Sequence, residues 1–409
     1  VAPTWSVLQL GTAEEDQAVA VAVDARCGLL VGGVTKGRLA GAELLGEQDA
    51  FLARLEAGGL AWVRQVGTAG VDFARDVVVS EAGVSVLVGD TLSAADGGVG
   101  PEEADVLAFS YGADGGLRWS ARRAAAGNDF ATGVARAPDG TLTVVGTTDV
   151  ALERGFDFLT LRLGADDGVV HTETRSGAEG GQGSHERAEG VAFAADGSAF
   201  LAGVTTGEVA GPALGSTDGL LVHLAPDGAQ RWALQLGTPD IDAFLEVAPD
   251  GAGGAYVLAV SFADLESGQA EGDGIQSPFL ARVSAAGRLQ WMRRLAPAAD
   301  YSRAMGMAVG ADGAVFVAGL TQGGLAGPNA GGRDAFAARY GPDGERRWVR
   351  QLGTAQDDEG RDVALLPSGE LVLVGVTRGA LGGGGSRGGT DAFIARLRQE
   401  DGALAGPQP

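Results

Sequence analysis

The chain has 409 residues, 45% of them apolar and 70 of them glycine, with 30 Lys and Arg against 53 Asp and Glu for a formal net charge of -23. The apolar share is enough for a sizeable core and excludes wholesale disorder, while so acidic a surface repels phosphate backbones and excludes nucleic acid as a partner. Glycines without a three-residue period exclude collagen; the single cysteine, Cys27, excludes an internal disulfide and any Cys-based zinc cluster; and no apolar run reaches the roughly 18 residues of a membrane-spanning helix.

The first predicted element is a strand over residues 4–10, around Trp5-Ser-Val-Leu-Gln-Leu-Gly11. Its tryptophan opens a period. Trp5, Trp62, Trp119, Trp232, Trp291 and Trp348 are spaced 57, 57, 113, 59 and 57 residues apart, and Thr172 stands where the long gap lacks a tryptophan. The chain therefore divides into seven units, 12–67, 68–124, 125–177, 178–237, 238–296, 297–353 and 354–409. Each unit predicts four short strands separated by turn formers such as Pro-Asp-Gly and Ser-Gly. The inner strand follows an acidic residue, as in Asp72-Phe-Ala-Arg-Asp-Val-Val-Val79, and the second ends in Gly33-Val-Thr35 or its equivalent. The third opens with Asp, as in Asp49-Ala-Phe-Leu-Ala-Arg-Leu55, and the outer carries the tryptophan, as in Trp62-Val-Arg-Gln-Val-Gly67. No segment keeps a 3.6-residue apolar period for three turns, so helices should be few.

Four antiparallel strands repeated seven times predict an all-β, seven-bladed β-propeller in one domain. Both faces of the strands are apolar or small, as expected of blades that bury both faces against neighbours. The last unit has no outer strand: after Arg396 it runs into Gly406 and two prolines. Residues 4–10 are therefore expected to supply the outer strand of the last blade, which removes an unpaired edge. Trp5 lies four residues before Gln9, whereas Trp62, Trp232 and Trp348 lie three before Gln65, Gln235 and Gln351. A bulge or a flipped tryptophan is expected there.

The unit resembles the bacterial β-propeller repeat known as the SBBP repeat. Gln351-Leu-Gly-Thr354, Gly375-Val-Thr377 and Gly388-Gly-Thr-Asp-Ala-Phe393 carry the resemblance, and Gly319-Leu-Thr321 with Gly331-Gly-Arg-Asp-Ala-Phe336 repeats it. It covers nearly the whole chain. The fifth unit departs most, with Ala259-Val-Ser261 and Ser277-Pro-Phe279 in the corresponding places. The resemblance implies an exported or envelope-associated binding scaffold and names no catalytic residue. A start at Val1 without Met reads as a processed product, and with the resemblance the expectation is a protein outside the cell or in its envelope, as a monomeric propeller or an assembly subunit.

Three sets of residues are candidates for function. Asp16, Asp72, Asp129, Glu186, Asp242 and Asp358 occupy one slot per unit, with Ser302 in the sixth. Gathered at the channel mouth they would suit Ca2+; the competing reading is a carboxylate that caps backbone N–H groups or bridges to the next blade. Thr35, Thr91, Thr148, Thr205, Ser261, Thr321 and Thr377 end the second strands, and Asp49, Asp105, Asp157, Asp218, Asp334 and Asp391 open the third. Hydroxyl and carboxylate are expected to meet and hold each long loop at its neck. The fifth loop, 262–276, carries Asp264, Glu266, Glu271 and Asp273 and is a candidate partner- or Ca2+-binding loop, against the plainer reading of a solvated insertion.

Catalysis finds little support. His171, His185 and His223 lack ligand spacing, and His223 stands in the slot of Arg54, Arg162, Arg282, Arg339 and Arg396, which makes it a blade residue. The sequence thus predicts a non-enzymatic scaffold that binds a protein or other envelope partner through its loop-rich acidic face. The alternative is a carbohydrate-binding or carbohydrate-cleaving propeller, for which exposed aromatics on that face would be the mark.

Overall fold

The computed structural model describes residues 5–93, 103–123, 127–149, 156–176, 185–266, 275–297, 300–382 and 385–406. The strand β1 (Val7–Leu10) precedes the first blade, which comprises β2 (Asp16–Val23), β3 (Leu29–Thr35), β4 (Asp49–Glu56) and β5 (Gly59–Val66). The second blade is β6 (Val71–Val79), β7 (Ser85–Leu92), β8 (Ala104–Tyr111) and β9 (Leu117–Arg123). The third is β10 (Asp129–Arg136), β11 (Leu142–Thr148), β12 (Asp157–Leu163) and β13 (Val170–Ser176), and the fourth β14 (Glu186–Phe193), β15 (Ala199–Thr205), β16 (Asp218–Leu224) and β17 (Gln230–Leu236). The fifth is β18 (Asp242–Pro249), β19 (Ala255–Ser261), β20 (Ser277–Val283) and β21 (Leu289–Arg294), and the sixth β22 (Ser302–Val309), β23 (Val315–Thr321), β24 (Asp334–Tyr340) and β25 (Arg346–Leu352). The seventh holds β26 (Asp358–Leu365), β27 (Glu370–Thr377) and β28 (Asp391–Arg398), and β1 completes it in the order β1-β28-β27-β26. A 3-10 turn at Leu39–Gly41 is the one helical element among the described residues.

The ring is visible in the contacts of the inner strands. β2, β6, β10, β14, β18, β22 and β26 each touch the next, and β26 returns to β2. Each of seven core clusters spans two adjacent blades. One joins Val372, Val374 and Ile394 of the seventh blade to Val31, Phe51 and Leu55 of the first. This explains why the strands alternate so weakly: Leu29–Thr35 and Val315–Thr321 are buried at every position because both sheet faces meet a neighbour. Among the described residues the smallest cluster joins the third and fourth blades, through Val145, Phe158, Ala188, Leu201 and Leu220.

Blades are stitched at three radii. Near the axis, every inner strand carries a bulge, between Ala18 and Ala20 in the first blade and between Gly360 and Asp362 in the last. Further out, a residue at the start of an inner strand donates its N–H to the residue just before the third strand of the preceding blade: Asp72 to Gln48 O (2.9 Å), Asp242 to Thr217 O (3.0 Å) and Asp358 to Arg333 O (2.7 Å). The same bond crosses the closure, from Asp16 N to Thr390 O (2.9 Å). At the rim, each of five tryptophans gives its indole N–H to a hairpin carbonyl of the following blade, as Trp62 to Ala113 O (3.1 Å) and Trp348 to Gln399 O (2.9 Å). The hairpin's positive-φ glycine lies against the indole; a Cβ on Gly402 would come within 2.7 Å of the Trp348 ring.

Two blades lack this rim contact, and both had a signal in the sequence. Thr172 replaces the tryptophan facing the fourth blade, whose hairpin Gly228 accordingly has open space around it. At the closure the sequence led us to expect a bulge or a flipped Trp5, yet β1 pairs regularly, Val7 with Ala395 through Leu10 with Ala392. Ser6 takes the tryptophan's place, accepting the Arg396 N–H at 2.8 Å, and Trp5 sits one residue earlier beneath the Arg396 guanidinium, 5.4 Å from it. The hairpin it would have met is a residue shorter, with Leu55 opposite Leu60 where Tyr111 is opposite Leu117, and the Trp5 indole nitrogen has no partner.

Candidate functional site

The start of each inner strand, the end of the second and the start of the third lie at the same end of each blade, as the register Asp16–Thr35–Asp49 requires. The long connections between second and third strands therefore share one face of the disc. The acid slot opens on that face but not to solvent. Asp16, Asp72, Asp129, Asp242 and Asp358 are fully buried and Glu186 nearly so. Asp16 accepts Thr12 N–H (2.6 Å), Thr12 Oγ1 (2.8 Å) and Thr35 Oγ1 (2.5 Å). Asp242 and Asp358 are held in the same way by Thr238 and Thr354. In each case the threonine lies four residues upstream. Where that threonine is missing the partner changes: Asp129 pairs with Arg123, and Ser302 donates to Thr321 Oγ1 (2.8 Å). Burial raises the pKa of Asp16, Asp72, Asp242 and Asp358 against these hydrogen bonds. The carboxylates expected to gather at the channel mouth thus serve as separate clasps, one per blade. Among the described residues no group of three or more His, Cys, Asp or Glu is placed to hold a metal ion.

The loop necks also differ from expectation. Thr35 faces Asp49 in the register, but its hydroxyl turns to Asp16. Asp49 instead accepts Leu45 N–H (2.8 Å), Gly46 N–H (3.0 Å) and the Gln65 side chain of the outer strand (2.9 Å). Gln65 also donates to Gly37 O and accepts from Leu39 N, so it ties both ends of the loop. Gln235 and Gln351 do the same for Asp218 and Asp334. Gln9 does so across the closure, donating to Asp391 (3.2 Å) and Gly379 O (3.0 Å). In the second blade the pair is Arg122 and Asp105.

The fifth loop follows the same logic. Ser277 replaces the neck aspartate and Arg294 the glutamine, joined at 2.9 Å. Asp264 pairs with Arg294 at 3.3 Å, and Glu266 accepts the Arg294 N–H at 3.1 Å. Of the loop's four acids, Asp264 therefore pairs with this guanidinium and Glu266 with its backbone N–H; Glu271 and Asp273 lie outside the described residues. His223 is a blade residue, 2% exposed and stacked on Phe200 at 4.2 Å.

One set of carboxylates went unrecognised in the sequence. Four residues after the acid slot, at the bulge, the seven blades carry Ala20, Asp76, Gly133, Gly190, Glu246, Gly306 and Asp362. Each acid reaches into the next blade: Asp76 accepts Val134 N–H and Asp362 accepts Val21 N–H, both at 2.8 Å, and Glu246 accepts from Met307 N. The next blade offers Gly or Ala at the equivalent position. Gly306, between Glu246 and Asp362, has no room for a Cβ, which would stand 2.6 Å from Asp362 Cα. Burial lifts Asp76 to about 6 and Asp362 to about 7, and raises Glu246 well above the usual range with the charges of Asp362 and Asp76 adding to it. An acid in a slot otherwise reserved for Gly and Ala was the available signal.

On the loop face, between the second, third and fourth blades, a cavity of about 430 Å³ opens beside the inner strands. Phe130 and Phe156 line it together with Arg75, Thr147, Arg187 and Glu189. Arg75 holds the buried Asp90 through Nε (2.7 Å) and Nη2 (3.1 Å), and Arg187 pairs with Glu189. Burial raises the pKa of Glu189 against the pull of Arg187, Arg75 and Arg303.

No helix among the described residues is long and apolar enough to cross a membrane. No family model matches the chain, and no curated protein does. Among solved structures, the chain is similar to a streptogramin B lyase, with a TM-score of 0.53 at 11% identity over 97% of this chain and 100% of that one. It is similar to the polysaccharide lyase Uly1, with a TM-score of 0.53 at 10% identity over 92% and 89%. It is also similar to a puromycin hydrolase mutant complexed with PGG, again at 0.53, at 13% identity over 96% of this chain and 53% of that one. At such identities the likeness is one of fold, and it is the propeller that these proteins share.

Proposed function

We propose that the chain is a non-enzymatic propeller of the SBBP-repeat kind, exported to the cell envelope or beyond, whose loop face receives a protein partner. The observation that carries this reading is the neck clasp. Four of the long loops are held by Asp–Gln pairs on a rigid ring, at Asp49, Asp218, Asp334 and Asp391, so these connections are presented from one face as a preorganised surface. The acid slot, which a catalytic or metal reading would have recruited, is spent on holding the blades.

Photo-crosslinking in the native envelope tests the assignment of the face. A crosslinking side chain at the exposed Val209 or Leu214, in the fourth loop, should capture the same partner, whereas one at Asp227, in a hairpin on the opposite face, should not. Capture from Asp227 alone would reverse the assignment.

A further inference from the structure

The cavity beside the third blade combines two phenyl rings with paired guanidinium and carboxylate groups, and from it we infer a binding site for an uncharged sugar ring. The inference rests on the loop face being the functional one. It names a small ligand where the reading above names a protein.

The site lies where the repeat is broken. Among the described residues the core cluster joining the third and fourth blades is the smallest of the seven, and the outer strand there has Thr172 in place of a tryptophan. Inward from this seam the cavity reaches about 430 Å³, inside the ~300–1,000 Å³ range of small-molecule sites. Two phenyl rings border it. Phe156 is 38% exposed, the only phenylalanine among the exposed large apolar residues described. Such a ring on the loop face is the mark a sugar site requires.

The polar groups decide the ligand class. Both guanidiniums are already matched by carboxylates, Arg75 by Asp90 and Arg187 by Glu189, so the site has no net charge with which to draw an ion. A chain of net charge -23 also repels anions at long range. What the site offers is oriented hydrogen bonding. Each guanidinium carries five N–H donors, more than its carboxylate uses. Glu189 supplies acceptor oxygen, and the Thr147 hydroxyl, on a side chain 3% exposed, has no partner. Fixed donors and acceptors next to aromatic faces suit a pyranose, which presents hydroxyls at its edge and C–H groups on its faces.

The test is saturation-transfer NMR and titration calorimetry on the full chain with the methyl glycosides of glucose, galactose, mannose and N-acetylglucosamine, and with glucuronate. At least one uncharged glycoside should bind saturably. Phe156→Ala should weaken it tenfold or more without moving the melting temperature, and Phe156→Leu, which keeps apolar contact but loses the ring face, should weaken it nearly as much. Glu189→Gln should weaken it severalfold. Failure of all four glycosides to bind, binding of glucuronate alone, or full affinity in both Phe156 variants would overturn the inference. Crosslinking from Val209 and Leu214 in the Phe156 variants keeps the two readings apart. Persistence of the protein adduct with no sugar binding would overturn the sugar site and leave the protein-binding face standing; sugar binding without an adduct would do the reverse.

Discussion

Replacing Gln9 by Ala probes ring closure through one side chain. Its amide nitrogen donates to the Asp391 carboxylate and to Gly379 O, tying β1 to a loop neck whose bonded residues lie 382 and 370 positions later in the sequence. A hydrogen bond to a charged group contributes about 1.5–3 kcal/mol and a neutral one about 1 kcal/mol. Asp391 is fully buried and keeps only the Arg387 N–H (2.9 Å) of the described donors after the change. Gln9→Ala should therefore cost about 3 kcal/mol. Gln65→Ala, its counterpart in a blade made of consecutive chain, removes the same two bonds and also the one from Leu39 N (3.0 Å) to its carbonyl. It should cost about 1 kcal/mol more. In Gln9 that carbonyl oxygen is buried and unpartnered. Urea unfolding followed by tryptophan fluorescence measures both. If Gln9→Ala were neutral while Gln65→Ala destabilised the protein, β1 would not be docked in solution and the closure would be wrong.

The rim predicts a contrast between two glycines of equal conformation. Gly228 and Gly402 both have positive φ, 86° and 69°, but only Gly402 lies against an indole. Gly228→Ala should cost roughly 1–2 kcal/mol of backbone strain, and Gly402→Ala clearly more, with a shift of Trp348 emission seen in that variant alone. The channel predicts the pH dependence. Carboxyls that ionise near 6 and 7 in the fold, against an ordinary value of 3.8, hold protons that the unfolded chain releases. Their contribution is complete below about pH 4 and is lost as the pH rises through 6 and 7. Thermal melts should therefore fall from pH 5 to pH 8. Glu246→Gln should match the parent at pH 5 and exceed it at pH 8; a melting temperature that rises over this interval would contradict the assignment. Because Asp16, Asp242 and Asp358 are fully buried, each with one oxygen held by Thr12, Thr238 or Thr354, melts in millimolar Ca2+ and in EDTA should coincide.

What the sequence made legible was whatever repeats. Tryptophans 57 residues apart, Gly-x-Thr and Asp-Ala-Phe gave the blades, and the missing last strand gave the closure. Pairing within the repeat was less legible. Thr35 and Asp49 are neighbours across a strand pair, and proximity in the register suggested a bond, yet each side chain turns to the strand on its other side. Strand order says which residues are adjacent but not which way a hydroxyl points. The inner-strand bulge was not recognised in the sequence, although Ala20, Gly133, Gly190 and Gly306 stand at its slot, and so Asp76, Glu246 and Asp362 went unassigned. The bulge turns them into the neighbouring blade.

The repeat also says where to look for function, by subtraction. A residue type that recurs in most blades is committed to the blade: most slot acids clasp threonines, most neck acids clasp glutamines, and five tryptophans clasp hairpins. The departures divide into two kinds. Some compensate locally, as Ser277 with Arg294, Asp264 and Glu266 rebuild a neck with different chemistry. Others leave something uncompensated. Among the described residues Thr172 is not replaced by another rim contact, the core cluster joining its blade to the next is the smallest, and the cavity between the second and fourth blades contains a buried hydroxyl with no partner. A ring stabilised by seven near-equivalent interfaces can tolerate one weak one, because each blade is held from both sides. That tolerance makes the third blade, rather than the more divergent fifth, the place where a ligand site could arise without opening the ring.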